Sequence, residues 1–371
     1  MTIRVPLGER SYQVLVQPGA LHDYAAREWE QAAILSNTSV MPLYGRQVLE
    51  ARSALGLSTI GHTAPDGEAA KNQGEVSRAY DALAEANFER RGVVVAVGGG
   101  VVGDWAGFVA ATWMRGVDFV QIPTTLLAMV DSSVGGKVGI NHARAKNLIG
   151  AFHQPKFVLA DPQVLATLPA REIRAGLAEV IKYGVIADAG FFHWLEENLD
   201  AALAGDVEAL THIIARSVEL KAEVVGQDER ESDALGRRAT LNYGHTLGHA
   251  IEATASYGQY LHGEAIAMGM TFAARLALRL QTIAQGQGQD LLQRQTRLFE
   301  RAGLTTQVPC ELGWAELRAA MALDKKGRGA SLNFILPTRL GCVELVREVD
   351  EEAVRQVLQA TQGEGRNTAQ G

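Results

Sequence analysis

Apolar residues keep two different rhythms along this chain. From Ile3 to Val16 they alternate loosely around a Gly8-Glu9 turn, which predicts an opening β-hairpin. AAILSN at 32–37 reads as a strand, and the spacing predicts helices over Pro42 to Leu55 and Ala69 to Arg90. RGVVVAVGGG is a β-branched run ending in glycines, with the helical stretch GDWAGFVAATWMRG behind it, so it reads as strand, glycine turn, helix. VDFVQIP and KFVLAD add strands, with polar loops between them. Beyond about Leu168 the period becomes helical, through REIRAGLAEVIKYGVI, FFHWLEENLDAAL, VEALTHIIARSVELKAEVV, TLNYGHTLGHAIEAT and EAIAMGMTFAARLALRL. SLNFILP and CVELVREV suggest a small terminal hairpin. The pattern predicts an α/β domain over residues 1–170, an all-helical domain over 171–361 and a frayed polar tail over 362–371, with no internal repeat.

Composition narrows the function classes more than the fold. The 371 residues are 47% hydrophobic and 21% charged, an ordinary globular mixture. A net charge of −7 argues against a general nucleic-acid or anionic-membrane surface, yet leaves room for a local basic pocket. Cys310 and Cys342 are too few for a disulfide framework or a cysteine zinc site, which makes a reducing cytoplasm the simplest home. The N-terminus lacks the apolar core of a signal peptide, and no apolar run is long enough for a membrane span.

Candidate chemistry gathers in a few stretches. Gly98 to Gly103 spell GxGxxG between a strand and a helix, where backbone N–H groups and the helix N-terminus would suit a pyrophosphate; a plain tight turn is the alternative. Asp66, Gly67, Glu68 and Lys71, with Thr124 and Thr125 later, could bond ribose or phosphate or simply cap helices. VDSSVGGK and NHARAKN combine Asp131, Lys137, Lys146 and Asn147 with glycine turns, as anion recognition or a solvated loop would. Glu179 and Lys182 are three apart, the spacing of a surface ion pair, but Ala178, Val180 and Ile181 around them suggest burial, where charges need a partner or a metal. In LNYGHTLGHAIE a continuous helix would align Asn242, His245, His249 and Glu252 on one face, and His262 follows. A carboxylate with two of these imidazoles would make a three-ligand zinc site with an open position; spacing does not choose which two. Lys221, Arg238 and Lys325-Lys326 are further cations.

Together the blocks PDGEAAK, GGGVVGDWAGFVAATWMRGVDFVQIPTTLLAMVDSSVGGK, NLIGAFHQP, LAEVIKYG, LNYGHTLGHAIE and LHGEA resemble the 3-dehydroquinate synthase family over nearly the whole chain. One departure is the loop DERESDALGRR, slightly longer than the family's usual form. The resemblance implies a Rossmann-like NAD-binding α/β domain, a helical metal-binding domain and a homodimer. It implies Glu179, His245 and His262 as ligands of zinc or cobalt. It further implies NAD contacts at Asp66, Glu68, Lys71, Gly99, Gly100, Val101, Val102, Gly103, Asp104, Thr124, Thr125, Asp131, Lys137, Lys146 and Thr167. Substrate contacts are implied at Lys137, Asn147, Lys182, Lys221, Arg238, Asn242, His249 and a lysine of the DKK run, Lys325, with Arg115 reaching the substrate phosphate from a partner subunit. The implied reaction turns 3-deoxy-D-arabino-heptulosonate 7-phosphate into 3-dehydroquinate and phosphate, a step of the shikimate pathway. Competing expectations are a metal- and NAD-dependent polyol dehydrogenase resembling glycerol dehydrogenase, another sugar phosphate cyclase, and a non-catalytic binder.

Overall fold

The computed structural model describes residues 1–363 apart from 23, 232–236, 257 and 325–331. Two compact units are formed: Met1–Pro169 with Leu210–Arg230, and Ala170–Ala209 with the described residues from Glu231 onward.

In the first unit, β1 (Thr2–Val5) and β2 (Tyr12–Val16) form the antiparallel opening hairpin that the alternation predicts. β3 (Gln31–Asn37), α1 (Arg46–Ala54), β4 (Ser58–Ala64), α2 (Gln73–Glu85), β5 (Val93–Gly98), α3 (Gly100–Thr112), β6 (Asp118–Pro123) and β9 (Phe157–Ala160) follow the βα pattern. The seven strands lie in the order β1-β2-β9-β6-β5-β3-β4, parallel except for β1. From β3 the chain first moves outward to β4 and then returns to place β5 on β3's other side. The carboxyl ends of β3 and β5 are therefore the topological switch point, where open α/β sheets take ligands. Val93 to Gly98 are buried throughout, as a strand covered on both faces requires.

Three elements depart from the pattern. The helix expected over 69–90 is α2 alone, because Glu68–Ala70 form a separate 3-10 turn and the Asn72 side chain caps α2 by accepting from the Glu75 N–H. STIGHTA, which the pattern leaves unassigned, is β4, half-exposed with glycine and histidine breaking its apolar run. The stretch expected as polar loops is a second antiparallel hairpin, β7 (Lys137–His142) with β8 (Ala145–Phe152). Gly139 and Gly150 face each other across it so closely that a Cβ on either would strike the opposite backbone.

The second unit holds α4 (Ala170–Ile186), α5 (Ala189–Leu203), α7 (His245–Thr254), α8 (His262–Leu280), α9 (Gln285–Arg301), α10 (Trp314–Asp324) and α11 (Glu351–Gly363), with the hairpin β10 (Leu332–Arg339) and β11 (Cys342–Val349). The intervening α6 (Val207–Gln227) belongs from Leu210 onward to the first unit, although its helical period had placed it in the second. There Gly226 lies against Pro6, and Lys221 bonds Asp131. Small residues bring the second unit's central helices together. A Cβ on Gly263 of α8 would run into the Ala175 carbonyl of α4, and one on Gly269 into the Gly244 carbonyl just before α7. No helix among the described residues is long and apolar enough to cross a membrane.

Candidate active site

The helix α4 is buried at every position from Ala175 to Ile186, so Glu179 and Lys182 are not a surface pair. Both are fully enclosed, at 0% and 1% exposed, and they form an ion pair with each other. His245 opens α7 and His262 opens α8, and the Nε2 atom of each lies 3.7 Å from Glu179 Oε1. Donor atoms of Glu179, His245 and His262 all fall within 4.8 Å of one another. Glu179 is thereby grouped with two of the three candidate imidazoles. His249 still borders the cluster, its ring 5.2 Å from that of His245 and 5.8 Å from that of His262.

Each of these two imidazoles has its Nδ1 engaged. For His245 the partner is the Tyr243 carbonyl at 3.1 Å, and for His262 it is Glu252 Oε2 at 3.0 Å. Burial pushes His245 down to about 3, keeping it neutral and available as a donor. Burial would also lower His262, but the hydrogen bonds that Glu179 and Glu252 accept from it outweigh that and hold the imidazole up to about 10. One carboxylate and two imidazoles, close enough for one ion, are the donor set of an open catalytic zinc-type site.

The continuous helix face expected over 242–252 is interrupted. Gly244 takes a left-handed φ of 80°, so Arg238–Asn242 form their own 3-10 turn and Asn242 is not in register with His245. Arg238 is buried, while Asn242 is exposed and donates to Glu231 at 3.5 Å. Lys325 lies outside the described residues.

In the first unit the glycine turn sits at the switch point. Gly98 ends β5, and Gly99 precedes α3 without a side-chain cap, a helix N-terminus of the kind that suits an anionic group. A Cβ on Gly99 would come within 3.0 Å of Thr125 Cγ2, and one on Gly100 within 3.0 Å of Ser132 Oγ. These two glycines therefore keep backbone open where side chains would fill the cradle; Val101 and Gly103 lie half-buried behind them and Val102 packs in the core. Asp66, just after β4, accepts from Asn37 Nδ2 at 2.6 Å and Ser39 Oγ at 2.7 Å, which fixes it beside the end of β3. Thr124 is buried, its N–H bonded to the Gly98 carbonyl, whereas Thr125 accepts from the Ala128 N–H in the capping role that its sequence also allowed.

Lys71 is the hub of a polar network. Its ammonium bonds Asp104 Oδ2 at 2.7 Å and also Asn147 Oδ1, and stands 3.7 Å from Glu68. Burial raises the Asp104 carboxyl and the Lys71 charge pulls it partly back. Asn141, which the sequence reading passed over, donates to Glu68 at 2.7 Å and accepts the Asn147 N–H at 2.9 Å, so it ties the hairpin to the Glu68 turn. Its place between Lys137 and Asn147 was the one available signal. Lys221 Nζ donates to both the side chain and the carbonyl of Asp131, each at 2.7 Å. Lys137, Lys146 and Arg115 are exposed, the last with a φ of 70° in a left-handed run from Met114 to Gly116. Thr167 is exposed, with its hydroxyl 2.7 Å from that of Tyr44.

A Rossmann-like sheet with an open glycine turn, and a helical unit with a His-His-Glu cluster, define a class of nucleotide-linked, metal-assisted enzymes. Within that class the chain belongs to the 3-dehydroquinate synthase family: residues 61–175 match its N-terminal profile and residues 176–327 its C-terminal one. The sequence is 50% identical to 3-dehydroquinate synthase of Pseudomonas fluorescens over 98% of this chain and 96% of that one. It is 48% identical to that of Desulforamulus reducens, covering 96% and 99%. Among solved structures, 2-deoxy-scyllo-inosose synthase complexed with carbaglucose-6-phosphate, NAD+ and Co2+ is similar with a TM-score of 0.87 at 26% identity, covering 97% of this chain and all of that one. 2-epi-5-epi-valiolone synthase of Streptomyces hygroscopicus, with NAD+ and Zn2+ bound, gives 0.85 at 28%, covering 95% and 97%. A probable glycerol dehydrogenase of Sinorhizobium meliloti, at 17% identity and a TM-score of 0.63, shares the fold alone.

Proposed function

We propose that the protein converts 3-deoxy-D-arabino-heptulosonate 7-phosphate to 3-dehydroquinate and phosphate, as a cytoplasmic homodimer using NAD and one zinc or cobalt ion. The observation that carries this reading is the Glu179, His245 and His262 donor set in a chain whose two halves both match the family. The polyol dehydrogenase reading has only a shared fold in its support.

A bound divalent ion would supply Lewis acidity at the C5 alcohol, and NAD would supply a reversible hydride acceptor. Glu179, His245 and His262 would hold the ion, with Lys182 balancing part of the buried carboxylate's charge. On the first unit the α3 N-terminus and the open backbone at Gly99 and Gly100 would take the NAD pyrophosphate, and the fixed carboxylate of Asp66 would take a ribose hydroxyl. Glu68, Lys71, Asp104, Thr124, Thr125, Asp131, Lys146 and Thr167 complete the proposed cofactor set. The substrate's phosphate is a dianion, so the exposed cations Lys137 and Arg115 are suited to it by charge. Asn147, Lys182, Lys221, Arg238, Asn242 and His249 would orient the sugar hydroxyls and carry protons at C5 and C6. A hydride taken from C5 and returned there would leave the conversion with no net redox change.

The test uses purified protein, zinc, trace NAD and the heptulosonate phosphate, following phosphate release and product. Many turnovers per NAD with stoichiometric phosphate are expected. NADH accumulating without phosphate release would mean a dehydrogenase, and no turnover with any sugar phosphate would leave a binder.

A further inference from the structure

The two histidines of the donor set are held in different ways. His245 has its side chain 11% exposed and its Nδ1 on the Tyr243 carbonyl two residues back, so its own local backbone fixes it. His262 is looser, at 29% exposed, and stands at the first position of its helix. Its Nδ1 instead meets a carboxylate from another helix, Glu252 of α7, at 3.0 Å. Glu252 is itself only 16% exposed and lies seven positions beyond His245 on the same helix, so α7 supplies one ligand and steadies another.

We infer that Glu252 is a positioning residue for the metal ligand His262, fixing its ring so that Nδ1 keeps its proton on Glu252 and Nε2 is turned into the space it shares with the donor atoms of Glu179 and His245. The inference rests on the metal reading above. Geometry leads to it directly. An imidazole whose Nδ1–H is donated to a carboxylate presents the other nitrogen as a donor atom, and the anionic partner increases that atom's basicity. Here that nitrogen already stands 3.7 Å from Glu179 Oε1. Without the carboxylate, a ring with this much exposure is free to rotate or to change tautomer, and each such state removes one of three protein ligands. Donor atoms of His249, Glu252 and His262 also lie within 4.8 Å of one another, so the competing role for Glu252 is that of a ligand in a second ion site.

The experiment titrates metal-free full-length protein with zinc against a chromophoric chelator, and records the visible spectrum of the cobalt-loaded form. Wild-type protein is expected to take up one tight equivalent. Glu252→Ala should bind zinc roughly 10–100-fold more weakly, the range for removing such an outer partner. Glu252→Gln, which keeps an acceptor and nearly the same shape without the charge, should recover part of that loss. The cobalt spectrum should shift in the alanine variant, a change that a role in helix packing would not produce. If Glu252→Ala does not fold, as circular dichroism would report, the glutamine variant decides. Wild-type affinity and an unchanged spectrum in the folded variants would overturn the inference. So would two tight equivalents in the wild type with the second lost in Glu252→Ala, because the carboxylate would then be a ligand. A wild-type protein that binds no zinc would overturn the metal reading as well.

Discussion

Glu179 and Lys182 show how far residue-level reading reaches. Their i,i+3 spacing fits an exposed ion pair, while their apolar neighbours argue for burial, and twelve consecutive buried positions of α4 decide the matter. A charge pair removed from water is costly to break from one side, since the remaining charge stays buried. Glu179→Ala is therefore expected to lose metal and also about 3–5 kcal/mol of folding stability. The double variant Glu179→Leu with Lys182→Met should regain most of the stability and none of the metal; urea melts and metal content measure the two separately. His249→Ala should keep one equivalent of metal while turnover collapses, because its ring borders a donor set that is complete without it. Loss of zinc equal to that in His245→Ala would sink that assignment. Which two of three histidines join the carboxylate was not legible from spacing, since it depends on where α8 begins relative to α4, a tertiary matter.

At the level of elements, the donor set depends on how closely α8 approaches its neighbours. Gly263 follows His262 immediately and has no room for a Cβ against the Ala175 carbonyl, which is backbone and does not yield as a side chain would. Gly263→Ala should therefore push the start of α8 away from α4, lowering the melting temperature and zinc affinity together, while Gly286→Ala, in open space on α9, should change neither. The first turn of α8 also carries a pH dependence. Glu264 accepts two bonds from Arg171, each at 2.7 Å, and the Leu261 N–H at 2.8 Å. Burial would raise this carboxyl, but Arg171 and the N–H more than offset that and hold it below the usual range. With a folded value below the unfolded one of about 4.3, its contribution is fully present above that pH and disappears as pH falls through the folded value. Melting temperatures between pH 6 and 3 should fall less steeply in Glu264→Gln than in the wild type. Elements with a long, regular period were legible in the sequence: the opening hairpin, β5 with its glycine turn, and the helices α4 to α8. The β7–β8 hairpin was hidden because its facing glycines and exposed lysines carry no apolar alternation. The break at Gly244 was hidden because a single left-handed glycine leaves the surrounding spacing unchanged.

For the molecule as a whole, the proposed homodimer and the cross-subunit role that the family resemblance implies for Arg115 make a prediction that needs two copies. Arg115→Ala and Lys182→Ala should each be nearly inactive alone. If Arg115 serves the substrate held by a second copy, mixing and reassembling the two variants should restore about a quarter of wild-type activity, since half the dimers are mixed and each has one intact site. No recovery, with mixed dimers verified by mass spectrometry, would place Arg115 on its own subunit's substrate.

The membership of α6 sets an order on synthesis. The sheet-bearing unit is completed by Leu210–Arg230, yet forty residues of the other unit, 170–209, are translated between its two parts. At ribosomal rates of roughly 5–20 residues per second, the sheet waits seconds for the helix that supplies Lys221 to Asp131. During that interval the nascent chain exposes the surface that α6 will cover, and a chaperone that shields apolar surface on the ribosome should engage it then and release it soon after residue 230 emerges. A gene split after residue 169 would make that wait permanent for its first product.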